Sequence, residues 1–481
     1  MNTWYSRQSR GMFIGGRFVP VEGTMEVVSP ANVQHVVGLF ADAVYAVDEA
    51  VERAQRAYRD WRRVPVYQRL GVLNRFADVL TARRTELARA IATEVGKPWH
   101  EAEQEAALLP TKLRQTAALA QRELSPVVPD GVDGYWDLRP LGVVAVLGPF
   151  NFPVHLSNGH IAPALAAGNA VILKPSEAAP ACAELYTECW SEAAGPHAAV
   201  FSLLPGGPQC GERLAVHDGV AAVCFTGSWS VGVRLRELTA RQTGKLLALE
   251  MGGKNPALVL ADADLQLAAA QVLDAALWSC GQRCTATSRV LVESAVYDEL
   301  AERIVAGARQ WEPASPLDPG CRLGPLSTRR GWERFVQAQR EVPAGMSTLL
   351  AGGEDAGPGP KGYWVRPAIH EVTHSEQCVS RWQNELFGPE LLLERVDGDE
   401  ALVERANATP YGLACSVFTR SRERFDRMRL DVDAGIVNWN RGTAGASGAM
   451  PFGGLKNSGN HRPAGSWSLR YCVAPVSTLL R

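Results

Sequence analysis

Apolar residues in the first hundred positions recur mainly at helical spacing. Between Val47 and Trp61 they return every three or four residues, with Asp, Glu and Arg between them, and this pattern predicts an amphipathic helix. A second helical stretch runs from about Gln68 to Val95 and ends at the stop signal Gly96-Lys97-Pro98. We therefore expect the first hundred residues to be mainly helical.

Short apolar runs alternate with helix-like segments from Gly142 onwards. The run 143–147 ends at Gly148-Pro149, as a buried strand does. Similar runs follow at 170–173, 199–204 and 220–225, with a helical segment over about 181–194. This βαβ alternation predicts a doubly wound parallel sheet, a fold that binds nucleotides at the carboxyl ends of its strands.

A second alternation begins near Asn255-Pro256. It contains the apolar run 257–260, a helix over about 265–279 and the run 290–292, and it predicts a second α/β unit. Segments rich in proline and glycine at 313–320 and 352–362 are its expected surface loops.

Composition and charge narrow the class of protein. The chain has 481 residues, enough for about three domains of roughly 150 residues each. Its 49 Lys and Arg against 51 Asp and Glu give a net charge of −2, so no overall basic field attracts nucleic acid or an anionic membrane. The sequence contains no apolar run of membrane-spanning length and no signal peptide. We expect a cytoplasmic protein whose partners include neither nucleic acid nor membrane.

The cysteines and histidines do not form a metal-binding pattern. The ten cysteines are irregularly spaced without a CxxC pair, and no HExxH occurs, so we expect reduced thiols and no metal. Cys280 and Cys284 are four residues apart and can share one face of a helix, but further ligands are missing.

Other short motifs exclude two common classes of enzyme. A G-x-G-x-x-G occurs at 357–362, but it follows no predicted strand, opens no helix and contains two prolines, so we interpret it as a loop. Neither a P-loop nor a GxSxG elbow is present, which removes the usual signatures of P-loop NTPases and α/β-hydrolases.

Three residues stand out as candidates for catalysis. Asn151 lies in a tight turn after the strand 143–147, where its amide can hold an oxyanion or simply satisfy the turn. Cys284 follows Arg283, which can favour a thiolate; otherwise Cys284 is a small buried hydrophobe. Glu250 lies between apolar residues and a glycine pair, as suits a general base of raised pKa, or it caps a helix. The residues alone leave these alternatives open.

Seven segments together resemble the aldehyde dehydrogenase superfamily, in the family's order and across nearly the whole chain. The segments are Gly148-Pro149-Phe150-Asn151-Phe152-Pro153, Lys174-Pro175-Ser176-Glu177, Phe225-Thr226-Gly227-Ser228, Leu249-Glu250-Met251-Gly252-Gly253-Lys254-Asn255-Pro256, Gly281-Gln282-Arg283-Cys284, Glu385-Leu386-Phe387-Gly388-Pro389 and Pro451-Phe452-Gly453-Gly454.

This resemblance implies an aldehyde dehydrogenase-like α/β fold with several parts. A Rossmann-like NAD-binding domain is expected over 1–124 and 148–254, and an α/β catalytic domain over 255–443. A small β oligomerisation arm is expected over 125–147 and 466–481, and a return segment near the active site over 444–465. Arms of this kind join subunits in the family, so a homodimer or a dimer of dimers is expected.

The resemblance also implies a role for each of the three candidates. Cys284 is the nucleophile, Asn151 and the backbone N–H of Cys284 form the oxyanion hole, and Glu250 is the general base. The thiolate attacks an aldehyde carbon, a hydride passes to the nicotinamide, and water hydrolyses the remaining thioester to a carboxylic acid.

Further residues are implied as contacts of the dinucleotide. Lys174 and Glu177 match the adenosine-ribose contacts, 227–232 the pyrophosphate turn, and Glu385 with Phe387 the clamp on the nicotinamide ribose. The full set is Phe150, Lys174, Ser176, Glu177, Phe225, Thr226, Gly227, Ser228, Gly232, Met251, Gly252, Glu385 and Phe387. Because a carboxylate at 177 accepts from a ribose 2′-hydroxyl and repels a 2′-phosphate, NAD is expected rather than NADP.

Within the superfamily, the chain resembles most the branch that oxidises N-succinylglutamate 5-semialdehyde in arginine degradation. The shared segments are 155–160, 281–285 and, above all, 458–463. His461 or Arg462 is therefore a candidate contact for a carboxylate of an acidic aldehyde, although Arg462 equally suits a structural ion pair. Lys254 and the segment 455–457 depart from that branch, which leaves another semialdehyde or an aliphatic aldehyde as the alternative substrate.

Two functions of other classes fit the residues less well. A non-catalytic binding or structural protein on the same fold would have no need of Cys284, Glu250 and Asn151 together. A cysteine hydrolase would have no need of the cofactor segments at 174–177 and 385–387.

Overall fold

The computed structural model describes residues 3–21, 23–359, 361–445 and 447–481. Pro360, within the G-x-G-x-x-G, lies outside the described residues. The flanking stretches 355–359 and 361–364 form neither helix nor strand, in agreement with the predicted loop.

The described residues form helices in the following order. They are α1 (Val47–Trp61), α2 (Val66–Ala82), α3 (Arg84–Val95), α4 (Trp99–Glu123), α5 (His155–Ala167), α6 (Pro180–Ala194), α7 (Pro208–Val216), α8 (Trp229–Thr239), α9 (Leu265–Leu277), α10 (Ser294–Ala308), α11 (Arg329–Arg340), α12 (Val379–Gln383), α13 (Asp399–Asn407) and α14 (Arg422–Asp431).

The strands of the described residues outnumber the helices. They are β1 (Met12–Ile14), β2 (Arg17–Val19), β3 (Met25–Ser29), β4 (Asn32–Phe40), β5 (Gly134–Pro140), β6 (Val143–Leu147), β7 (Ala170–Lys174), β8 (Phe201–Leu203), β9 (Ala222–Thr226), β10 (Leu246–Glu250), β11 (Asn255–Val259), β12 (Thr287–Val292), β13 (Met346–Leu350), β14 (Gly353–Glu354), β15 (Val365–Arg366), β16 (Ala368–Val372), β17 (Glu390–Arg395), β18 (Tyr411–Gly412), β19 (Ala414–Phe418), β20 (Ile436–Trp439), β21 (Pro451–Phe452), β22 (Leu455–Lys456), β23 (Ala464–Gly465) and β24 (Val473–Leu479).

The first sheet has the strand order β10-β9-β6-β7-β8-β1-β2. Its strands from β10 to β8 are parallel, and β1 and β2 extend it in antiparallel fashion. The chain runs from β6 outward to β8 and then returns to the other side of β6 at β9. The order therefore switches between β6 and β9, which is where doubly wound sheets bind ligands, beyond the carboxyl ends of the strands.

Both faces of the first sheet are covered, which explains its nearly uninterrupted apolar strands. Val144 and Val146 of β6 pack in one cluster with residues of α2, α5 and α6. Val143, Ala145 and Leu147 pack in another with α1 and α7, because successive side chains of a strand point to opposite faces.

The second sheet has the strand order β13-β16-β17-β12-β11-β19-β20, parallel except for β13. Helices α9 and α10 contribute to the cluster on one face, and α13 and α14 to the cluster on the other. Only 251–254 separates β10 of the first sheet from β11 of the second. The two sheets are thus joined directly beside Glu250, and the α/β class is as predicted.

The arm is a two-stranded ribbon in which β5 pairs antiparallel with β24, from Gly134 opposite Leu479 to Pro140 opposite Val473. The expected first arm segment, 125–147, contains both β5 and β6. Residues 143–147 form β6, which is buried and pairs with β7 on one side and β9 on the other. An apolar strand of this kind belongs in the centre of a sheet that is covered on both faces.

The N-terminal expectations are partly corrected. Helix α1 has the predicted bounds, and its buried face includes Val47, Val51 and Trp61. The predicted helix 68–95 is divided into α2 and α3 at Arg83, whose φ of −97° and ψ of 15° interrupt it. The expectation of a mainly helical start is wrong for residues 12–40, which form β1 to β4. Strands β1 and β2 have three residues each, and β1 pairs with β8, a contact distant in sequence, while β3 and β4 pair with each other.

Candidate active site

Cys284 lies in the loop between the short 3-10 helix Trp278–Gly281 and β12. All ten cysteines belong to the described residues, and Cys284 is half-buried while the other nine are buried. Burial raises the pKa of the Cys284 thiol well above its ordinary value, and the nearby carboxylates of Glu250 and Glu385 raise it further. The thiol is therefore protonated at neutral pH and needs a base to become a nucleophile.

Arg283 does not favour the Cys284 thiolate, so that interpretation of the sequence is wrong. The Arg283 guanidinium donates to Glu101 Oε2 over 2.6 Å and to Ser279 Oγ over 3.2 Å. Its charge is thus paired with a carboxylate on the opposite side of the loop.

Asn151 follows β6 at the switch point of the first sheet, and its side chain is buried. Its Nδ2 donates to the backbone oxygen of Gln282 over 2.8 Å. An amide nitrogen carries two hydrogens, so one remains for a ligand. The contact brings the turn after β6 against the loop that carries Cys284, as expected for two groups that act on one oxygen atom.

Glu250 is the last residue of β10 and is buried. Neither carboxylate oxygen has a hydrogen-bond partner among the described residues. Burial raises the pKa of Glu250 well above its ordinary value, and Arg462 partly opposes that increase. A buried carboxyl without partners, close enough to Cys284 to shift the pKa of its thiol, has the properties of a general base.

Asn255 is a residue of this site that the sequence does not single out for any role. Its Nδ2 donates over 2.8 Å to the backbone oxygens of both Cys284 and Ala286, and its Oδ1 accepts from Ala414 N at 3.0 Å. Asn255 therefore fixes the Cys284 loop to the second sheet. An Asn that begins a strand has no sequence signature for this task.

On the cofactor side, the segment from Thr226 to Gly232 contains the end of β9, a short turn and the first residues of α8. Gly227 N donates to Glu250 O at 3.0 Å, and Ser228 Oγ caps α8 by accepting from Val231 N. A Cβ atom at Gly232 would lie 2.3 Å from Met251 Sδ, so the absence of a side chain lets α8 approach 251. The backbone N–H groups at a helix start of this kind bind phosphate.

Glu385 and Phe387 approach the same region from the second sheet. Glu385 Oε1 accepts from Gly253 N at 3.1 Å, and a Cβ atom at Gly252 would lie 2.2 Å from Glu385 Oε2. Burial raises the pKa of Glu385 to about 7. Phe387 has a φ of +58° and presents its ring edge-on to Phe150, with centroids 5.9 Å apart. These groups form one wall of a cavity of about 320 Å³ beside Arg283 and Ala286.

Lys174 and Glu177 follow the end of β7. Lys174 Nζ lies 3.5 Å from Glu177 Oε2, and the carboxylate side chain is 56% exposed while that of the lysine is 9% exposed. Ser176 between them is buried and accepts from Ala178 N. An accessible carboxylate beyond a parallel strand suits a ribose hydroxyl. The whole predicted cofactor set therefore lies along the carboxyl edge of the first sheet and the facing loop.

The segment 458–463 lies against β10. Met251 N donates to Ser458 O at 2.8 Å, Gly459 forms a bridge with Glu250, and Asn460 Nδ2 donates to Leu247 O at 3.0 Å. His461 is exposed. Arg462 is half-buried and donates to Gly454 O at 2.5 Å; it has no ion-pair partner in the described part of the chain. The predicted structural ion pair is therefore not observed, and Arg462 lies near Glu250.

The described residues contain neither a metal-binding cluster nor a membrane-spanning helix. Residues 3–21, 23–359, 361–445 and 447–481 contain no group of three His, Cys, Asp or Glu side chains suited to a metal ion. Within the same residues, every helix is too short or too polar to cross a membrane.

The fold and this site define a class of protein: an α/β enzyme with a dinucleotide cleft beside a cysteine, an amide and a carboxyl group. The sequence profile of the aldehyde dehydrogenase family matches residues 18–476. The chain belongs to the aldehyde dehydrogenase family.

Particular relatives cover almost the whole chain. It is 39% identical over 447 residues to an N-succinylglutamate 5-semialdehyde dehydrogenase of Novosphingobium aromaticivorans, covering 90% of this chain and 91% of that one. It is 38% identical to the protein of the same name from Chromobacterium violaceum, covering 97% and 96%. Among solved structures it is similar to a 1-pyrroline-5-carboxylate dehydrogenase from Thermus with bound NAD, with a TM-score of 0.92, 31% identity and coverage of 98% and 93%.

Proposed function

We propose that this enzyme oxidises N-succinylglutamate 5-semialdehyde to N-succinylglutamate with NAD, through a thioester on Cys284. The observation that carries the chemistry is the meeting of Asn151, Glu250 and the Cys284 loop where the two sheets join. The substrate is proposed because two relatives at 38–39% identity carry that activity in their names and match this chain over at least 90% of its length.

The proposed reaction begins at the Cys284 sulfur. The half-buried Cys284 thiol gives its proton to a water molecule, and the thiolate sulfur adds to the aldehyde carbon, so the carbonyl oxygen becomes an oxyanion. The free N–H of the Asn151 amide and the backbone N–H of Cys284 donate to that oxygen, and they stabilise charge that exists only after the attack. NAD, when bound, would supply the hydride acceptor; as the hydride leaves the former aldehyde carbon, the oxyanion re-forms its double bond and a thioester remains on Cys284.

Glu250 completes the proposed reaction. Its ionised carboxylate takes a proton from a water molecule as the water attacks the thioester carbonyl. The carbon–sulfur bond breaks, the acid leaves, and Cys284 regains its proton. The absence of protein partners for both oxygens of Glu250 leaves them available for that water.

The residues of the cleft suit NAD. The start of α8 at Ser228 would hold the pyrophosphate, Glu385 the nicotinamide ribose, and Lys174 with Glu177 the adenosine ribose. The exposed Glu177 carboxylate disfavours a 2′-phosphate by repulsion between like charges, so we propose NAD over NADP.

A substrate panel tests this proposal. We expect kcat/KM for N-succinylglutamate 5-semialdehyde to exceed that for an uncharged aliphatic aldehyde by about 10- to 100-fold, since hydrogen bonds to a charged group contribute about 1.5–3 kcal/mol. Succinate semialdehyde and NADP are run in parallel. An equal or greater preference for the uncharged aldehyde would contradict the substrate assignment, and no NADH formation from any aldehyde would contradict the chemistry.

The position of the 458–463 segment suggests how an acidic substrate is recognised. We place His461 or Arg462 at a substrate carboxylate, because Arg462 combines partial burial with proximity to Glu250 and has no carboxylate partner in the described residues. Arg462→Met should raise KM for the acidic semialdehyde and leave KM for an aliphatic aldehyde little changed. An equal change for both substrates would argue against this role.

The domain division, assembly and location belong to the same proposal. We assign 1–124 with 143–254 to NAD binding, 255–443 to catalysis, 444–465 to the return segment, and 125–142 with 466–481 to the arm. The arm joins subunits into a homodimer or a dimer of dimers. Ten free cysteines suit a reducing compartment, the cytoplasm.

A further inference from the structure

A buried group of four charges lies behind the site. We call Lys97, Glu101, Glu105 and Arg283 the charge quartet. Lys97 Nζ is 2.6 Å from Glu105 Oε2, and Arg283 Nη2 is 2.6 Å from Glu101 Oε2. The four side chains are between 0% and 11% exposed. With two cations and two carboxylates the quartet is electrically balanced, as buried charges must be.

The ring of Phe152 connects the two ion pairs of the quartet. Lys97 Nζ lies 3.5 Å from the ring centroid, and the Arg283 guanidinium carbon lies 5.3 Å from it. Both are within the range of cation–π attraction. Phe152 is the residue directly after Asn151, so the quartet surrounds the turn that carries the proposed oxyanion donor.

Glu105 holds the Asn151 side of the site. Its Oε1 accepts from Val154 N at 3.3 Å and from His155 N at 3.2 Å. These N–H groups lie at the start of α5, where a helix offers them no internal acceptor and a carboxylate is favoured. Because Val154 is only three residues after Asn151, this contact fixes the turn in place.

Glu101 holds the Cys284 side. It accepts from Ser279 N at 2.9 Å and from Ser279 Oγ at 2.5 Å. Ser279 and Cys280 have φ values of +52° and +54°, a left-handed conformation that costs about 1–2 kcal/mol for each residue with a side chain. Such a turn persists only when its surroundings hold it, and Glu101 supplies two of the bonds that do so. Burial tends to raise the pKa of Glu101, but Arg283 and Lys97 reverse this effect and lower it, so the carboxylate is ionised.

The two carboxylates lie four residues apart on one face of α4, a helix of 25 residues. One helix thus contacts both loops whose separation sets the distance from Asn151 to Cys284. A cavity of about 210 Å³ lies between these loops, lined by Lys97, Asn151, Ser279 and Gln282 among others.

We infer that Glu101 and Glu105 are positioning residues, which set the geometry of the oxyanion hole by holding the Asn151 turn and the Cys284 loop to a single helix. This inference rests on the proposed function of Asn151. An error of about 1 Å in such a site can cost about 10²-fold in rate, so loss of either contact should be visible in hydride transfer.

The test compares two variants of Glu105 that both lose the ion pair with Lys97. Glu105→Gln keeps an oxygen for the N–H groups of 154 and 155, and Glu105→Leu removes it. We expect the rate constant of the NADH burst to fall about 10-fold in the first and about 100-fold in the second, with KM for aldehyde and NAD changed less than about 3-fold. Glu103→Gln, an exposed position on the same helix, is the matched control and should keep the wild-type rate.

A double-mutant cycle with Asn151→Ala separates positioning from general stability. If Glu105 acts through the Asn151 amide, Glu105→Gln should slow the burst less than about 2-fold once that amide is removed. Glu101→Gln acts on the Cys284 loop and should still slow the NADH burst in the Asn151→Ala background. The cycle with Glu105→Gln tests whether Glu105 acts through Asn151 even if Glu105→Leu fails to fold.

The possible failures of the cycle are distinguishable. An Asn151→Ala enzyme with a wild-type burst would overturn the oxyanion role itself, which belongs to the proposed function. The other outcome is that Asn151→Ala slows the burst and that Glu105→Gln slows it further, by the same factor as in the wild-type background. This outcome would overturn only the inference about Glu105.

Discussion

At the scale of single residues, the Glu250 carboxylate affects the ionisation of the Cys284 thiol. Burial raises the pKa of both groups, and the charge of Glu250 raises the pKa of the Cys284 thiol further. Arg283 is paired with Glu101. The Cys284 thiol must therefore lose its proton before the sulfur attacks the aldehyde, and Glu250 must be ionised before it acts as a base.

Replacement of the sulfur is the most direct test at this scale. Cys284→Ala should abolish NADH formation, because no other thiol of the ten is half-exposed. Cys280→Ala, four residues away and buried, should keep most of the activity. Steady-state NADH absorbance measures both. Activity in Cys284→Ala together with loss in Cys280→Ala would reverse the assignment.

The raised pKa of Glu250 predicts the direction of pH dependence. A general base acts only when ionised, so hydrolysis of the thioester should accelerate as pH rises through the pKa of Glu250, which lies well above that of an ordinary carboxyl. Glu250→Gln should remove this dependence from the steady-state rate, slow turnover by about 10²- to 10⁴-fold, and produce a burst of about one NADH per site.

The first hydride transfer is the control for that prediction. Its rate depends on the thiol of Cys284, so it should still rise with pH in Glu250→Gln. If the burst rate and the steady-state rate fall equally in this variant, Glu250 acts before the thioester forms and the assigned role is wrong.

At the scale of elements, the Cys284 loop depends on a close approach of two backbones. Gly281 has a φ of +70°, and a Cβ atom there would lie 2.4 Å from the backbone carbon and oxygen of Gly388. The loop that carries Cys284 and the loop that carries Glu385 and Phe387 therefore touch at a position where only glycine fits.

Two glycine substitutions test this contact. Gly281→Ala should displace the Cys284 loop, lower kcat by about 10²-fold and lower Tm. Gly71→Ala in α2 meets its nearest atom only at 3.9 Å and should leave kcat unchanged while it stabilises the protein by up to about 1 kcal/mol, since alanine favours helix over glycine. Both variants are compared by steady-state kinetics and thermal unfolding. If Gly281→Ala were as active as Gly71→Ala, the close contact between the two loops would not be needed for activity.

The elements show which features the sequence predicts by itself. Strand β6 was expected at 143–147 and occurs there, because an apolar run closed by Gly148-Pro149 fits a strand buried on both faces. Asn151 could be proposed because it follows such a strand, and Glu250 because it lies between apolar residues and a glycine pair. Strands β1 and β2 could not be predicted in the same way, since each has three residues and β1 joins the first sheet through β8, a partner distant in the chain.

The charge quartet shows why part of the site is invisible in the sequence. Glu101 and Glu105 have the spacing of any pair of carboxylates on an exposed helix face. Their function depends on α4 meeting the turns at 151–155 and 279–283, and that meeting is a property of the tertiary fold. The resemblance to a known family supplied Cys284, Glu250 and Asn151, while the residues that hold them in place required the structure.

At the scale of the whole molecule, the arm is the part whose contacts within its own chain are insufficient to make it stable. An isolated pair of strands is marginally stable in water, and among the described residues no strand other than β5 pairs with β24. The arm also exposes apolar side chains: Val128 is 70% exposed and Leu479 is 79% exposed. Surfaces of this kind usually face another protein.

Carboxylates introduced into the arm should therefore weaken the association of subunits. We expect the wild-type enzyme to elute in size-exclusion chromatography with light scattering at two or four times the 52.0 kDa of one chain. The double variant Val128→Asp with Leu479→Asp should shift toward one chain, because two buried carboxylates without partners oppose the interface. The control is Leu430→Asp, which is 74% exposed in the single chain on α14 and should leave the mass unchanged. A wild-type mass of one chain, or an arm variant that assembles like the wild type, would show that the arm does not join subunits.

Since the arm strands lie outside both sheets, a dissociated arm variant that keeps its NADH burst would also show that each chain holds a complete site.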